Sequence, residues 1–229
     1  MTFDLWNQLL QRYVNDQGQV NYRRWQAEAA DELQAWLQET AQAQLPSHAD
    51  RKVQLACWIN LYNALTIYQI LKRYPIQSIR PKVFGIPNWL AFLYFFLNPV
   101  YTFHHQRYSL NQIEHSILRK NFQEPRIHFA LVCASVGCPL LRNQAYLPEC
   151  VLEQLEADAV RFMNNPDKVH VKDGVLYCSK IFSWYKTDFL AIAPSIPQYI
   201  QRYLQTPIPL TANTPIRYLP YDWSLNQQP

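Results

Sequence analysis

Between Lys52 and Tyr74 apolar residues fall on nearly every side of a helical projection: Leu55, Ala56, Cys57, Trp58, Ile59, Leu61, Tyr62, Ala64, Leu65, Ile67, Tyr68, Ile70 and Leu71. A helix without a polar face has no side to give to solvent, so it must be the buried centre around which the other elements are laid. Pro75 ends it. Asn60, Asn63 and Thr66 recur every third residue and draw a polar stripe along it, where each amide needs partners. Structural hydrogen bonding accounts for such a stripe; a site-facing role, with Asn60 or Asn63 as an oxyanion donor, is the alternative.

Around this helix the expected elements alternate irregularly. Helical spacing covers Asp4 to Tyr13 and about Trp25 to Ala43, with Val20 to Tyr22 extended between them. Val100 to Phe103 and Arg107 to Leu110 read as short strands around His104 and His105, which a hairpin tip would leave solvated. Asn111 can cap a helix to about Asn121, and Arg126 to Cys133 reads as a strand. A helix from about Pro148 to Met163 precedes a hairpin turning at Lys172-Asp-Gly174, then helical stretches Ser183 to Ala191 and Ser195 to Leu204, and an extended Ile216 to Leu219. The class is α+β, a helical N-terminal half around a small, mainly antiparallel sheet. At 229 residues without a linker, the expectation is one domain over 1–229, a scaffold in 1–80 and a catalytic-type core in 81–229.

A net charge of +4 without a Lys/Arg block argues against a dedicated nucleic-acid surface. Five cysteines are an odd number in a chain too large to need stapling, which points to reduced thiols and, with no apolar leader at the start, to the cytoplasm. The unbroken apolar run Trp89 to Leu97 is too short to span a bilayer. It is either a buried helix or an exposed lid that contacts a membrane or a protein.

The chemistry concentrates in Pro125-Arg-Ile-His-Phe-Ala-Leu-Val-Cys-Ala-Ser-Val-Gly-Cys-Pro139 and in Glu114-His115. Glu114 shares the core stripe of its helix with Leu110, Ile113, Ile117 and Leu118, so a carboxylate points inward, as a catalytic acid or as a structural partner of Arg119 or Arg126. A helix returning to the Arg126–Cys133 strand brings Glu114 beside Cys133. Ala134 to Gly137 then makes a turn, through Ser135, whose free N–H groups could hold an oxyanion, and Cys138 before Pro139 resembles a helix start that favours thiolate. Either thiol could attack. His128 and His115 both remain candidate bases: His128 is five residues from Cys133, about 16 Å along a straight strand, and His115 adjoins Glu114 at an awkward angle. Arg126 is a further candidate substrate contact. The Cys-x4-Cys spacing suits no common zinc site, so neither metal nor cofactor is expected.

These motifs resemble those of a family called domain of unknown function 547: Trp58-Ile-Asn-Leu-Tyr-Asn-Ala-Leu65, Ser109-Leu-Asn-Gln-Ile-Glu-His115, Pro125 to Cys133 with Gly137-Cys-Pro139, Ser179 to Tyr185, and Tyr221 to Asn226. The resemblance implies a transglutaminase/papain-like fold and a Cys-Glu-His hydrolase site, with Glu114, Cys133 or Cys138, and His128 or His115 as its members. The reaction implied is cofactor-independent hydrolysis or transfer at an amide or isopeptide-like bond. The rival expectation is a binding module that keeps the fold without catalysis.

Overall fold

The central helix begins at Asp50, whose side chain accepts a hydrogen bond from Lys52 N at 2.9 Å, and α3 then runs Arg51–Leu71. From Leu55 on, nearly every side chain is buried, as the missing polar face requires. The computed structural model describes the chain except residues 1, 43–49, 104, 105 and 207 and the side chains of 82 and 83. The expected helix end at Ala43 and the pair His104-His105 therefore lie outside the described residues.

Two helices flank α3 on one side, α1 (Asp4–Tyr13) and α2 (Tyr22–Gln42), the latter broken at Ala29. Aromatic stacking joins them: Trp6 lies 5.7 Å from Trp36 and Tyr13 lies 5.0 Å from Trp25. The polar stripe on α3 works as scaffold. Asn60 accepts from Trp6 Nε1 and Tyr146 N and donates to Tyr146 O, while Asn63 donates to Ala130 O and accepts from Val132 N, both at 3.0 Å. With both ends of each amide engaged, neither is placed as an oxyanion donor.

Beyond α3 come a small hairpin, β1 (Lys82–Val83) with β2 (Ile86–Pro87), helix α4 (Trp89–Leu97), and a second hairpin, β3 (Tyr101–Phe103) with β4 (Gln106–Tyr108). A π-helix, Gln112–Phe122, follows, then a 3₁₀-helix, Pro125–Phe129. The C-terminal part holds α5 (Val151–Met163), the hairpin β5 (Val169–Lys172) and β6 (Val175–Cys178), short helices α6 (Ile181–Trp184), α7 (Lys186–Leu190) and α8 (Ile196–Gln201), and β7 (Ile216–Tyr218). Asp173 and Gly174 both take positive φ at the β5–β6 turn, the backbone a tight hairpin demands.

The mixture of helices and small sheets is α+β, and the strand pairing is mainly antiparallel, but it is not gathered in one sheet. Among the described residues there are three small sheets, and in the largest β7 pairs parallel to β6, because three helices intervene and return the chain in the same direction. The expected strand from Arg126 to Cys133 is absent. Pro125 opens the 3₁₀-helix, Glu124 caps it by accepting from Arg126 N, and the Asn63 amide meets the Ala130 and Val132 backbone as a neighbouring strand would have done. This segment is a seam. Ile127 and Leu131 pack into the core around α3, whereas Phe129 between them joins Phe162, Phe182 and Phe189 in a second cluster.

Candidate active site

The turn after that seam carries the sulfurs. Ala134 takes φ +61°, Cys138 N donates to Ser135 O at 3.0 Å, and the chain doubles back until the Cα atoms of Cys133 and Cys138 stand 6.3 Å apart, where the two form a disulfide. The expectation of reduced thiols fails for this pair because the tight turn brings them within bonding reach. Cys133 is half-buried and Cys138 is buried. Ser135 Oγ lies 3.3 Å from both sulfurs, and Tyr221 Oη lies 3.5 Å from Cys133 Sγ and donates to Cys138 Sγ at 3.2 Å.

The turn is pinned from the far end of the chain. Val136 N donates to Ser224 O and Gly137 N to Asp222 O, each at 2.8 Å, and Lys168 Nζ donates to Val136 O. The N–H groups of Val136, Gly137 and Cys138 are thus engaged, so this turn does not offer them to an oxyanion. A Cβ on Gly137 would stand 2.8 Å from Asp222 O and the Tyr221 ring, so only glycine allows the approach. Nor does Cys138 open a helix: the chain from Pro139 is irregular, with bends and turns, and the next helix starts at Val151.

Glu114 faces inward from the first turn of the π-helix, buried beside Ile113. A π-turn widens the helix and often marks a working site. Tyr62 Oη donates to Glu114 Oε2 at 3.0 Å and Tyr185 Oη to Oε1 at 2.5 Å. Burial and then the Glu114 charge push both phenols well above their ordinary pKa, so they stay protonated donors. The expected contact of Glu114 with a histidine or arginine is replaced by these two phenols.

The histidines have different partners. His128 Nε2 lies 2.8 Å from Asp188 Oδ2, and the imidazole stacks on Tyr185 at 3.8 Å between ring centres. A carboxylate only accepts, so Nε2 carries the hydrogen and Nδ1 keeps its lone pair. Burial lowers the His128 pKa and outweighs the opposing pull of Asp188 and Glu114, so the ring is neutral near pH 7. Asp188 is pushed up by burial, but hydrogen bonds from Arg119 and His128 outweigh that and hold its carboxyl well below the usual range. Arg119 reaches it with two bonds, at 2.7 and 2.8 Å. The same guanidinium stands 2.8 Å from His115 Nδ1; being only a donor, it occupies that lone pair and leaves the hydrogen on His115 Nε2. Arg126 is turned elsewhere, paired with Glu124 and Glu156.

One cavity of about 710 Å³ is lined by Cys133, Cys138, Glu114, His115, His128 and Tyr221 at its reactive end. Trp89, Phe92, Leu93, Phe96 and Leu97, all from α4, form an apolar wall, and Arg80 and Lys180 supply cations. Sequence reading singled out the sulfurs, Glu114 and both histidines, but not Asp188, Tyr185 or Tyr221, and it named Arg119 only as a structural partner for Glu114. Tyr185 and Tyr221 stand within motifs already noted, whereas Asp188 is marked only by lying three residues past Tyr185. Among the described residues no group of three or more His, Cys, Asp or Glu could hold a metal ion.

A family model described as a protein of unknown function, DUF547, matches residues 46–163, just over half of the chain. No curated protein and no solved structure matches it.

Proposed function

The chain belongs to the DUF547 family, and from that premise we propose that its cavity hydrolyses or transfers the acyl group of an amide or isopeptide-like bond, with Cys133 as nucleophile. The observation that carries this reading is the single cavity that gathers a sulfur pair, a neutral histidine paired with a carboxylate, and donor groups from distant segments. The transglutaminase/papain-like relation belongs to the same proposal through the family resemblance.

The structure holds the pair as a disulfide, so the reaction begins with its reduction. A dithiol reductant supplies two electrons and two protons, freeing Cys133 and Cys138 as thiols. Cys133, the more exposed, passes its proton to His128 Nδ1 and attacks the carbonyl carbon. His115 Nε2–H, and Tyr221 O–H once it turns from Cys138 Sγ to the substrate, are the donors for the oxyanion, in place of the engaged backbone of the turn. Collapse expels the amine, which takes the proton from His128, and water or a second amine then cleaves the thioester. Asp188 orients His128, so it takes the part first expected of Glu114, and Glu114 holds the phenols that shape the cavity.

The test compares oxidised and dithiothreitol-reduced protein for amine release from small acyl amides, alongside iodoacetamide labelling across pH with mass mapping of each thiol. We expect activity only after reduction, loss in Cys133→Ala, and Cys133 labelling with an inflection below the free-thiol value of about 8.5. Cys57 and Cys178, each pushed by burial up to about 12, label last. Full activity in a Cys133→Ala, Cys138→Ala variant would sink the mechanism.

A further inference from the structure

Helix α4 is a ridge between two grooves. Its stripe Trp89, Phe92, Leu93, Phe96 and Leu97 walls the cavity just described, and its other stripe, Leu90, Ala91, Tyr94 and Phe95, lines a second groove on the outer side. Only Phe95 is buried; Leu90 is 80% exposed and Tyr94 58%. Beside the helix, the tip of the β1–β2 hairpin holds Phe84 fully in solvent, with Ile86 also exposed. An apolar surface this continuous is rarely left uncovered.

The ridge is held firmly. Asn88 caps it by accepting from Ala91 N at 3.0 Å, Phe92 meets Trp223 edge-on at 5.0 Å, and the Arg80 guanidinium sits over both the Trp89 and Trp223 rings. Its apolar face is therefore presented, not poised to fold inward.

The charge around it decides the occupant. From Arg51 to Ile113 the sequence has no Asp or Glu, while it has Arg51, Lys52, Lys72, Arg73, Arg80, Lys82 and Arg107. The net charge of +4 is thus not spread evenly, and the rest of the chain is net negative. Arg73 and Arg80 line the outer groove, where Asp222 is the one acidic lining residue. At the C-terminal end of the helix, Lys72, Arg73 and Arg107 line a further groove beside Asn98 and Pro99.

We propose that α4 and the Phe84 hairpin tip seat this protein on an anionic lipid bilayer, the apolar side chains entering the headgroup and acyl boundary and the rim cations meeting lipid phosphates and carboxylates. Aromatic and leucine side chains with flanking Lys and Arg are the composition of interfacial helices, which lie in the boundary without crossing it. At nine residues α4 suits that position and no other in a membrane. Seating the helix would also bring the mouth of the cavity to the lipid surface, since one stripe serves both. The docking does not depend on the cavity being catalytic.

The test is co-sedimentation of the whole chain with phosphatidylcholine vesicles, with and without phosphatidylserine, at low and high salt. We expect binding to the anionic vesicles that weakens with salt, at least a tenfold loss for Phe84→Ser combined with Leu90→Ser, and about a fivefold loss for each of Arg73→Gln and Arg107→Gln. These side chains are exposed, and unchanged circular dichroism would show that the variants fold. Absent or charge-independent binding overturns the proposal. So does a concentration-dependent dimer, abolished by the same apolar substitutions in a protein that ignores vesicles, which would make a second copy the occupant.

Discussion

Two phenols hold Glu114. Each donates to one carboxyl oxygen, so both oxygens of this buried side chain have a hydrogen-bond partner. Tyr185→Phe removes one of these bonds and keeps the ring that stacks on His128. Hydrogen bonds to charged groups are worth about 1.5–3 kcal/mol, so the urea midpoint should fall by that equivalent with an unchanged slope; no change would mean that Glu114 finds another donor. His128 carries a pH signature. Its folded-state pKa is depressed, so its contribution is fully present above the unfolded value of about 6.5 and is lost as pH falls from there toward the folded value, because the unfolded chain binds the proton first. His128→Gln should therefore lose less stability than the parent between pH 7.5 and 5.5 in matched urea titrations. Equal losses would place the titration elsewhere. The inward carboxylate was legible from its place among Ile113 and Leu118, but its phenol partners were not, since nothing local tells that residues 62 and 185 converge on 114.

At the scale of elements, the seam between α3 and the sulfur turn shows where local pattern fails. Ile127, Phe129 and Leu131 alternate with other residues as in a half-buried strand, and they are indeed buried, yet they serve two different cores. Pro125 and the Asn63 side chain override the strand pattern by supplying a 3₁₀ start and a replacement for sheet hydrogen bonds. Asn63→Ala would leave Ala130 O and Val132 N without that partner, at about 1–3 kcal/mol for each buried group. Calorimetry should show a fall of about 2–4 °C in Tm per kcal/mol lost, and Asn63→Asp should rescue only the Val132 bond. A neutral Asn63→Ala would show that water serves these groups equally well. Elements governed by near neighbours, such as α3, the β5–β6 hairpin and α5, were readable in advance. The disulfide was not, because its reach depends on a positive φ at Ala134, a residue that carries no such signal.

For the molecule as a whole, the C-terminal segment acts as a cord. Asn226 N donates to Ala134 O and Leu225 N to Gln77 O; Val20 N donates to Asn226 O and Gln228 N returns to Val20 O. Tyr22 Oη also donates to the Asn226 side chain at 2.7 Å. The cord thus ties the helical half to the sulfur turn. Removing residues 220–229 should leave the far-ultraviolet helical signal nearly intact, yet open the turn, seen as rapid proteolysis within residues 130–140 and loss of the slow labelling of Cys138 in reduced protein. A truncated chain with the parent's protection would mean that the turn holds itself. No helix in the described part is long and apolar enough to cross a membrane.

Tyr221 meets the Cys133 sulfur across 88 residues of sequence. During synthesis, therefore, the cysteines emerge, and the helices that support them can pack, well before the phenol and the backbone carbonyls that enclose them exist. A ribosome stalled between α8 and β7 would hold a chain with most of its core but with an unguarded sulfur pair, open to whatever thiol or oxidant arrives first. Closure of the pocket is thus a timed event, set by translation.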